Sequence, residues 1–470
     1  MKLIKNIFKI LGFFVVLFLV AAIAIPIFYK DKIVDILKTE TNKSLNAKVD
    51  FKDVELSLLR NFPALSLHID DLTVDGVNEF AGTRLFGAPA AEIELDFWKV
   101  WANSTSIPVE AFTLESPVVN VRVLKNGQAN WDIAKPSETP ENAEPVEYLV
   151  EMEQYTIKNG LLTYVDESLD FEMEMNNLNH TGSGDFSESI FDLATQTQIE
   201  ALTVEMEGMT YLRKAKADLD ATINMNINDL IFTLKDNVLA LNALTIKADG
   251  MVDMNDDEYV MDLKFSSPQN SFKNLWSIIP SAYTADYANA KIDGKMTLNG
   301  LLSGTYNAAK NIYPAFKIST QIDNGSVQYP DLPMALKSIF TDITINSPSS
   351  DFDDLVVRIP QFEFKLGDNP FAGNFNLRNP ISNPQLKTEL RGTLDLEDIG
   401  KAVPLEGVNT LSGVIESDVY INASMSQMEK AQYEAIDMRG NIAVTNMMVE
   451  QDGLPKVNIK SLLLTLVRKE

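Results

Sequence analysis

The sequence predicts an all-β chain with few short helices, preceded by a single N-terminal transmembrane helix. Three observations carry that prediction. Residues 10–29 form an uncharged run of twenty. Beyond it, apolar and polar residues alternate with period two in one segment after another. Between those segments Asn-Gly pairs recur, as hairpins require.

The apolar run, which includes Ile10, Phe13, Phe14, Phe18 and Tyr29, is long enough for an α-helix to cross the hydrocarbon core of a bilayer. Lys2, Lys5 and Lys9 precede it, whereas Lys30 and Lys32 are accompanied by Asp31 and Asp35. The positive-inside rule then keeps residues 1–9 in the cytoplasm and exports about 440 residues. A cleaved signal peptide is the competing reading, because Ala22-Ile23-Ala24 faintly resembles a cleavage site. The stretch is longer than an ordinary h-region and Pro26 follows directly, so retention as an anchor is expected.

After the span, residues 30–46 read as a juxtamembrane amphipathic helix with Ile33, Val34, Ile36, Leu37 and Leu45 as its apolar residues. A β region then covers 47–134. Val54, Leu56 and Leu58 alternate with polar neighbours, followed by Leu65, Leu67 and Ile69, and by Ile93, Leu95 and Phe97. Residues 135–147, rich in Pro and Glu, form a loop or boundary. The remainder, 148–470, is repetitive β. Leu169 to Asn176 alternates cleanly, as do Leu219, Ala221, Ile223, Met225 and Ile227 against Asp220 to Asn228. Period two puts one set of side chains on each face, giving strands with one apolar and one wet side, the habit of antiparallel sheets. Turns are expected at Asn126-Gly127, Asn159-Gly160, Asn299-Gly300 and Asn324-Gly325, and short helices at Ser271–Ile279, Leu332–Phe340 and Leu396–Val403. Gly250 to Pro280 (strand, turn, strand, short helix) is matched by Gly373 to Pro404. A unit of about 120 residues therefore repeats, as in stacks where each unit mainly touches its neighbours. The second copy stops at Leu463 to Glu470, where the first runs on through Ser347 to Phe364, so the repeat is expected to continue beyond this chain.

Composition excludes several functions. Cysteine is absent, which removes disulfides, thiolate metal sites and a lipoprotein anchor. A net charge of −26 repels phosphate backbones, so nucleic acid is not an expected partner. The two histidines, His68 and His180, have no second His or Cys near them in sequence. His68 falls on the polar side of its strand and is expected to face solvent. Asp253 to Glu258 lacks the glycine of a calcium loop and reads as a solvated hairpin turn, and Thr181 to Asp185 reads as a flexible turn without the lysine of a phosphate cradle. Glu151, Glu153 and their neighbours show no paired geometry for acid–base chemistry. No catalytic residue, cofactor or metal site is expected.

The segment Lys125-Asn126-Gly127-Gln128-Ala129-Asn130-Trp131-Asp132, following the strand Val118 to Leu124, resembles the "dG-x-x-NW" signature of the AsmA family. The preceding membrane helix, the strand His68 to Val74, and phrases such as Phe371 to Leu377 and Gly392 to Ile399 are similar to that family as well. The resemblance implies an inner-membrane protein of diderm bacteria, single-pass, whose periplasmic part is an elongated, twisted antiparallel sheet curled into a groove, a β-taco. It also implies a role in outer-membrane biogenesis and lipid transport, with phospholipids and membrane as partners and a further partner at the distal end. Of the signature residues Asn126, Gly127, Asn130 and Trp131, the reading here is structural: Trp131 plugs a sheet end and Asn130 bonds a turn.

Independently of the resemblance, a sheet with one apolar face must bury it. The predicted helices are too few to cover it, which leaves a closed sandwich or barrel, or a curled sheet filled by lipid tails. In the second case the lining is collective: Leu219, Ile223, Met225, Ile227, Met261, Leu263, Phe265, Met296, Leu298, Phe316, Ile318, Phe375 and Leu377. In the first, the protein is a scaffold or assembly factor with a dry core.

Overall fold

The computed structural model describes residues 45–96, 98–99, 109–135, 152–254, 258–276, 290–307, 310–329, 332–403, 405 and 407–467, with Val34, Lys38, Thr39, Asn42 and Lys43. The expected membrane span at 10–29, most of 30–46 and nearly all of 135–147 lie outside these residues. No described helix is long and apolar enough to cross a membrane. The chain divides into two units, 1–228 and 229–470.

In the first unit β1 (Ala47–Asp50) and β2 (Asp53–Ser57) share one edge of β3 (Leu65–Gly76), whose other edge carries β4 (Arg84–Leu95). Next come β5 (Val109–Glu115) and β6 (Val118–Val123), both antiparallel to β4 and both parallel to β7 (Gln154–Asp166). They are two halves of one strand, broken at Ser116 (φ 48°) and Pro117. Here the expectation of a purely antiparallel sheet fails. A parallel pair needs a long crossover, and residues 124–153 supply one. Then β8 (Phe171–Ser183), β9 (Ile190–Met206) and β10 (Met209–Asn226) add in antiparallel order. Phe51, Val54, Leu67, Ile69, Ala88, Ala91 and Leu114 form a buried core in this unit, with Val34 packed against it.

The second unit is a serial antiparallel meander in which each strand pairs with its successor. Its strands are β11 (Ile231–Leu241), β12 (Leu244–Asp253), β13 (Tyr259–Ser271), β14 (Lys291–Tyr306), β15 (Ala315–Gln328) and β16 (Ala335–Ser347), followed by β17 (Val356–Leu366), β18 (Asn369–Arg378), β19 (Gln385–Asp395), β20 (Val408–Ser424), β21 (Asp437–Gln451) and β22 (Val457–Leu466). Helix α1 (Phe272–Trp276) follows β13, α2 (Leu396–Ala402) follows β19 and α3 (Met425–Glu429) follows β20. The order strand, strand, strand, helix, strand, strand, strand occurs as β11–β16 around α1 and again as β17–β22 around α2, where α3 is added between β20 and β21. The match extends to detail. Gly294 in β14 has φ 128°, and a Cβ there would stand 2.6 Å from the Cα of Gly325 beside Asn324 (φ 49°). Gly413 in β20 has φ 107°, and a Cβ there would stand 2.5 Å from the Cα of Met447 beside Asn446 (φ 50°).

The helices expected near 271–279 and 396–403 are present as α1 and α2. The one expected over Leu332–Phe340 is instead the start of β16. A bulge at Ser338 (φ 53°), between the pairs Lys337/Lys365 and Phe340/Glu363, spaces Leu336, Ile339 and Phe340 like a helix while the backbone stays extended. Among the Asn-Gly pairs only Asn126-Gly127 makes a turn. Asn159 (φ 53°) and Asn324 (φ 49°) are bulges inside β7 and β15. Asn299-Gly300 lies mid-strand in β14, where the Phe265 ring covers Gly300. Thr181 to Ser183 likewise ends β8 rather than forming a turn, with the Tyr155 ring over Gly182. Leu169 and Ile227 fall in turns just outside β8 and β10.

Candidate functional site

Strand register in the second unit sets apolar residues directly opposite one another. Ala248, Phe265, Gly300, Ile318, Ile345, Val357, Leu377, Leu386 and Ala423 form one unbroken row across β12 to β20. Two residues along lie Leu263, Leu302 and Phe316 on one side and Ile359, Phe375, Ile421 and Met438 on the other. At the spacing of β-strands the row runs roughly 40 Å along the sheet. All its members except Gly300 are half-buried, neither sealed nor freely solvated. The other face carries Lys264, Lys317, Arg378 and Lys387, all exposed. A stripe without directional polar groups offers only dispersion and desolvation to whatever lies against it.

Leu263, Phe265, Phe316, Ile318, Phe375 and Leu377 lie on these rows, with Met261 one step further, opposite Val252 and Gly304. Met296 differs. It is 2% exposed, enclosed with Leu244 and Ile322, and packed about by Phe272 and Leu275 of α1 and by Leu298. Leu219, Ile223 and Met225 share a face of β10, opposite Thr197, Leu193 and Phe191, while Ile227 stands 46% exposed in the turn. Ile345, Val357 and Leu386 belong to the row but escaped the sequence analysis. Their alternation is visible in the sequence; the register aligning them is not.

The signature segment builds a turn in the first unit. Gly127 (φ 83°) donates to the Leu124 carbonyl at 2.9 Å, and Asn126 Oδ1 accepts from the Gln128 N–H at 3.0 Å. Asn130 is buried and serves the edge of β6 rather than the turn: its Oδ1 accepts from the Arg122 N–H at 2.8 Å and its Nδ2 donates to the Asn120 carbonyl at 2.7 Å. Trp131 is 46% exposed and rests 6.2 Å from the Tyr164 ring, centroid to centroid.

His68 is half-buried instead of solvent-facing, its Nε2 3.4 Å from Asp70 Oδ1. His180 bonds Thr197 Oγ1 at 2.7 Å and Tyr155 Oη at 2.9 Å, and burial lowers its pKa. A cleft of about 500 Å³ is lined by Asp96, Lys99, Glu110, Glu153 and Asp185. Burial, then the charges of Asp96, Glu153 and Glu94, raise the Glu110 carboxyl above its ordinary range. Among the described residues no group of three or more His, Asp or Glu side chains is placed to hold a metal ion.

The model of the AsmA family matches residues 1–398, through β19 and into α2. No curated protein and no solved structure matches the chain. With 398 of 470 residues matched, and with the signature turn in place, the chain belongs to the AsmA family.

Proposed function

We propose that this chain is an inner-membrane-anchored periplasmic protein that shields and conducts phospholipid acyl chains between the inner and outer membrane, without catalysis or a cofactor. The observation that carries the reading is the nine-strand apolar row from Ala248 to Ala423, half-buried throughout its side chains. Helices α1, α2 and α3, of five, seven and five residues, are too short to cover it. Acyl chains complete such a surface, because they need only apolar contact and tolerate varied shapes. In this reading the uncharged run at 10–29 holds the chain in the membrane and the −26 charge keeps the exported part dispersed.

The second reading, a scaffold with a dry core, draws on the sealed cluster of Leu244, Met296 and Ile322. One experiment separates the two. The full chain, extracted in mild detergent, carries a photocrosslinking residue at Leu377 or at the neighbouring Asn376. Phospholipid adducts from Leu377 and not from Asn376 are expected. A folded protein that yields none at either position would have a dry surface there, and the scaffold reading would take its place.

A further inference from the structure

Asn42, Lys38 and Val34 fix the course of the segment that leads into the first unit. Asn42 Oδ1 accepts from the Val49 N–H at 2.9 Å, and its Nδ2 donates to the Val49 carbonyl at 2.9 Å. Lys38 Nζ donates to Asp50 Oδ1 at 2.9 Å and to the Phe51 carbonyl at 3.0 Å. Val34 packs on the core that includes Val54 and Leu67. From 42 back to 34, these contacts advance along β1 and β2 towards Ser57. Tyr29, the last residue of the uncharged run, stands five residues before Val34, so it lies within about 18 Å of Val34 by any path. The run thus ends within reach of one end of this sheet, where β2 turns into β3 and β4 leads to β5.

Two loops at that end hold apolar side chains outward. Between β2 and β3 the backbone is pinned: the Leu59 and Arg60 N–H groups donate to Ser57 Oγ at 3.3 and 3.2 Å, and the Ala64 N–H to the Asn61 carbonyl at 2.8 Å. Leu58 is sealed against Leu65, yet Leu59 and Phe62 are 53% and 59% exposed. Asn61 Nδ2 donates to Glu94 Oε1 at 2.8 Å and so ties the loop to β4. Just beyond β4, Asp96 Oδ1 accepts the Trp98 and Lys99 N–H groups at 2.8 and 3.1 Å, and Trp98 is 66% exposed. Leu, Phe and Trp presented beside the exposed Arg60 and Lys99 suit the headgroup boundary of a bilayer, where aromatic rings settle and long cationic side chains reach phosphates. We propose that these two loops are a second membrane contact, which sinks Leu59, Phe62 and Trp98 into the phospholipid interface beside the span and fixes the tilt of the first unit. Glu92, Glu94 and Asp96 stand at the same end, so the contact is apolar and does not depend on anionic lipid. The inference rests on the anchored reading of residues 10–29 and not on lipid conduction.

The test places the full chain in phosphatidylcholine vesicles with a photocrosslinking residue at Phe62, at Trp98 or at Asn126. Asn126 shares a cleft with Gly76, at the far end of β3, roughly 35 Å along the strand from Leu65. Lipid adducts are expected at the first two positions and not at Asn126, in a yield that high salt leaves unchanged. Leu59→Ser combined with Trp98→Ser should lower the yield at Phe62 about fivefold, with circular dichroism unaltered. Flotation with the vesicles after an alkaline wash reads the span alone. Flotation without adducts at Phe62 or Trp98 would overturn the contact and leave the anchor standing. Loss of flotation would overturn the anchored reading and the contact with it. Equal adducts at Asn126, a yield that high salt abolishes, or adducts in native membranes that join Phe62 to a protein in place of lipid would also overturn the proposal.

Discussion

Val54 and Ala91 in the first unit are completely enclosed, whereas Ile318, Ile345, Val357 and Leu377 in the second, on strands of the same alternating pattern, stay half-buried. The difference lies in cover. Around Val54 and Ala91, side chains of β2, β3, β4 and β5 close over one another, with Val34 added from outside the strands. In the second unit Leu244, Met296 and Ile322, a few residues along the strands from the row, are sealed in a comparable way beside α1. Alternation thus decides which side chains share a face, and other elements decide whether that face becomes a core.

The widest separation should come from buried charge. Val54→Asp, placing a carboxylate where no polar partner stands, should cost about 4 kcal/mol or more and unfold the first unit in urea titrations. Leu377→Asp, beside solvent, should cost far less stability yet suppress phospholipid crosslinking from a probe at Ile318. Equal losses of stability would erase the distinction between core and row. Truncation sharpens the same point. Met296→Ala should destabilise by about 3 kcal/mol, as expected where a cavity is left, while Ile318→Ala should cost roughly 1 kcal/mol because solvent already reaches it.

The two repeats can be compared in the same way. Gly294→Ala and Gly413→Ala each force a Cβ against the bulge of the following strand at a φ that suits glycine. Each should cost about 2 kcal/mol, measured by thermal unfolding. A large loss at one and none at the other would break the equivalence. The smallest effect concerns His180. Its folded pKa lies below the ordinary value of 6.5, so the unfolded chain binds the proton first. Stability conferred by the neutral ring is complete above that pH and declines as pH falls below it. Melting curves between pH 7.5 and 5 should show this decline, and His180→Asn should flatten it.

Period two alone located the strands without bounding them: alternation at 53–58, 65–69, 169–176 and 219–228 falls in β2, β3, β8 and β10 to within two residues, but β3 and β8 run seven residues further and β10 begins ten residues earlier. Three of the errors share a cause. Asn159, Asn324 and Ser338 all take positive φ, which signals a hairpin turn or a bulge with the same residues, and only pairing distinguishes the two. The Ser338 bulge also shifts the apolar phase, turning a strand's spacing into a helix's. The row was half legible. Phe265, Ile318 and Leu377 declared themselves by alternation, whereas Ile345, Val357 and Leu386 join them only through register, a relation between strands that no single segment encodes. Met296 failed oppositely, since the sequence shows it alternating and does not show α1 lying over it.

The meander of the second unit has a kinetic corollary. Every strand from β11 to β22 finds its partner within the next few dozen residues, so loop closure is short at each step and low contact order favours fast, stepwise folding. A chain emerging in order could lay these strands down one after another. The first unit cannot proceed so, because β5 and β6 wait for β7, which arrives only after the crossover of residues 124–153. Pulse-labelled hydrogen exchange should therefore find β3 and β4 protected before β6, and the strands of the meander protected without waiting for either.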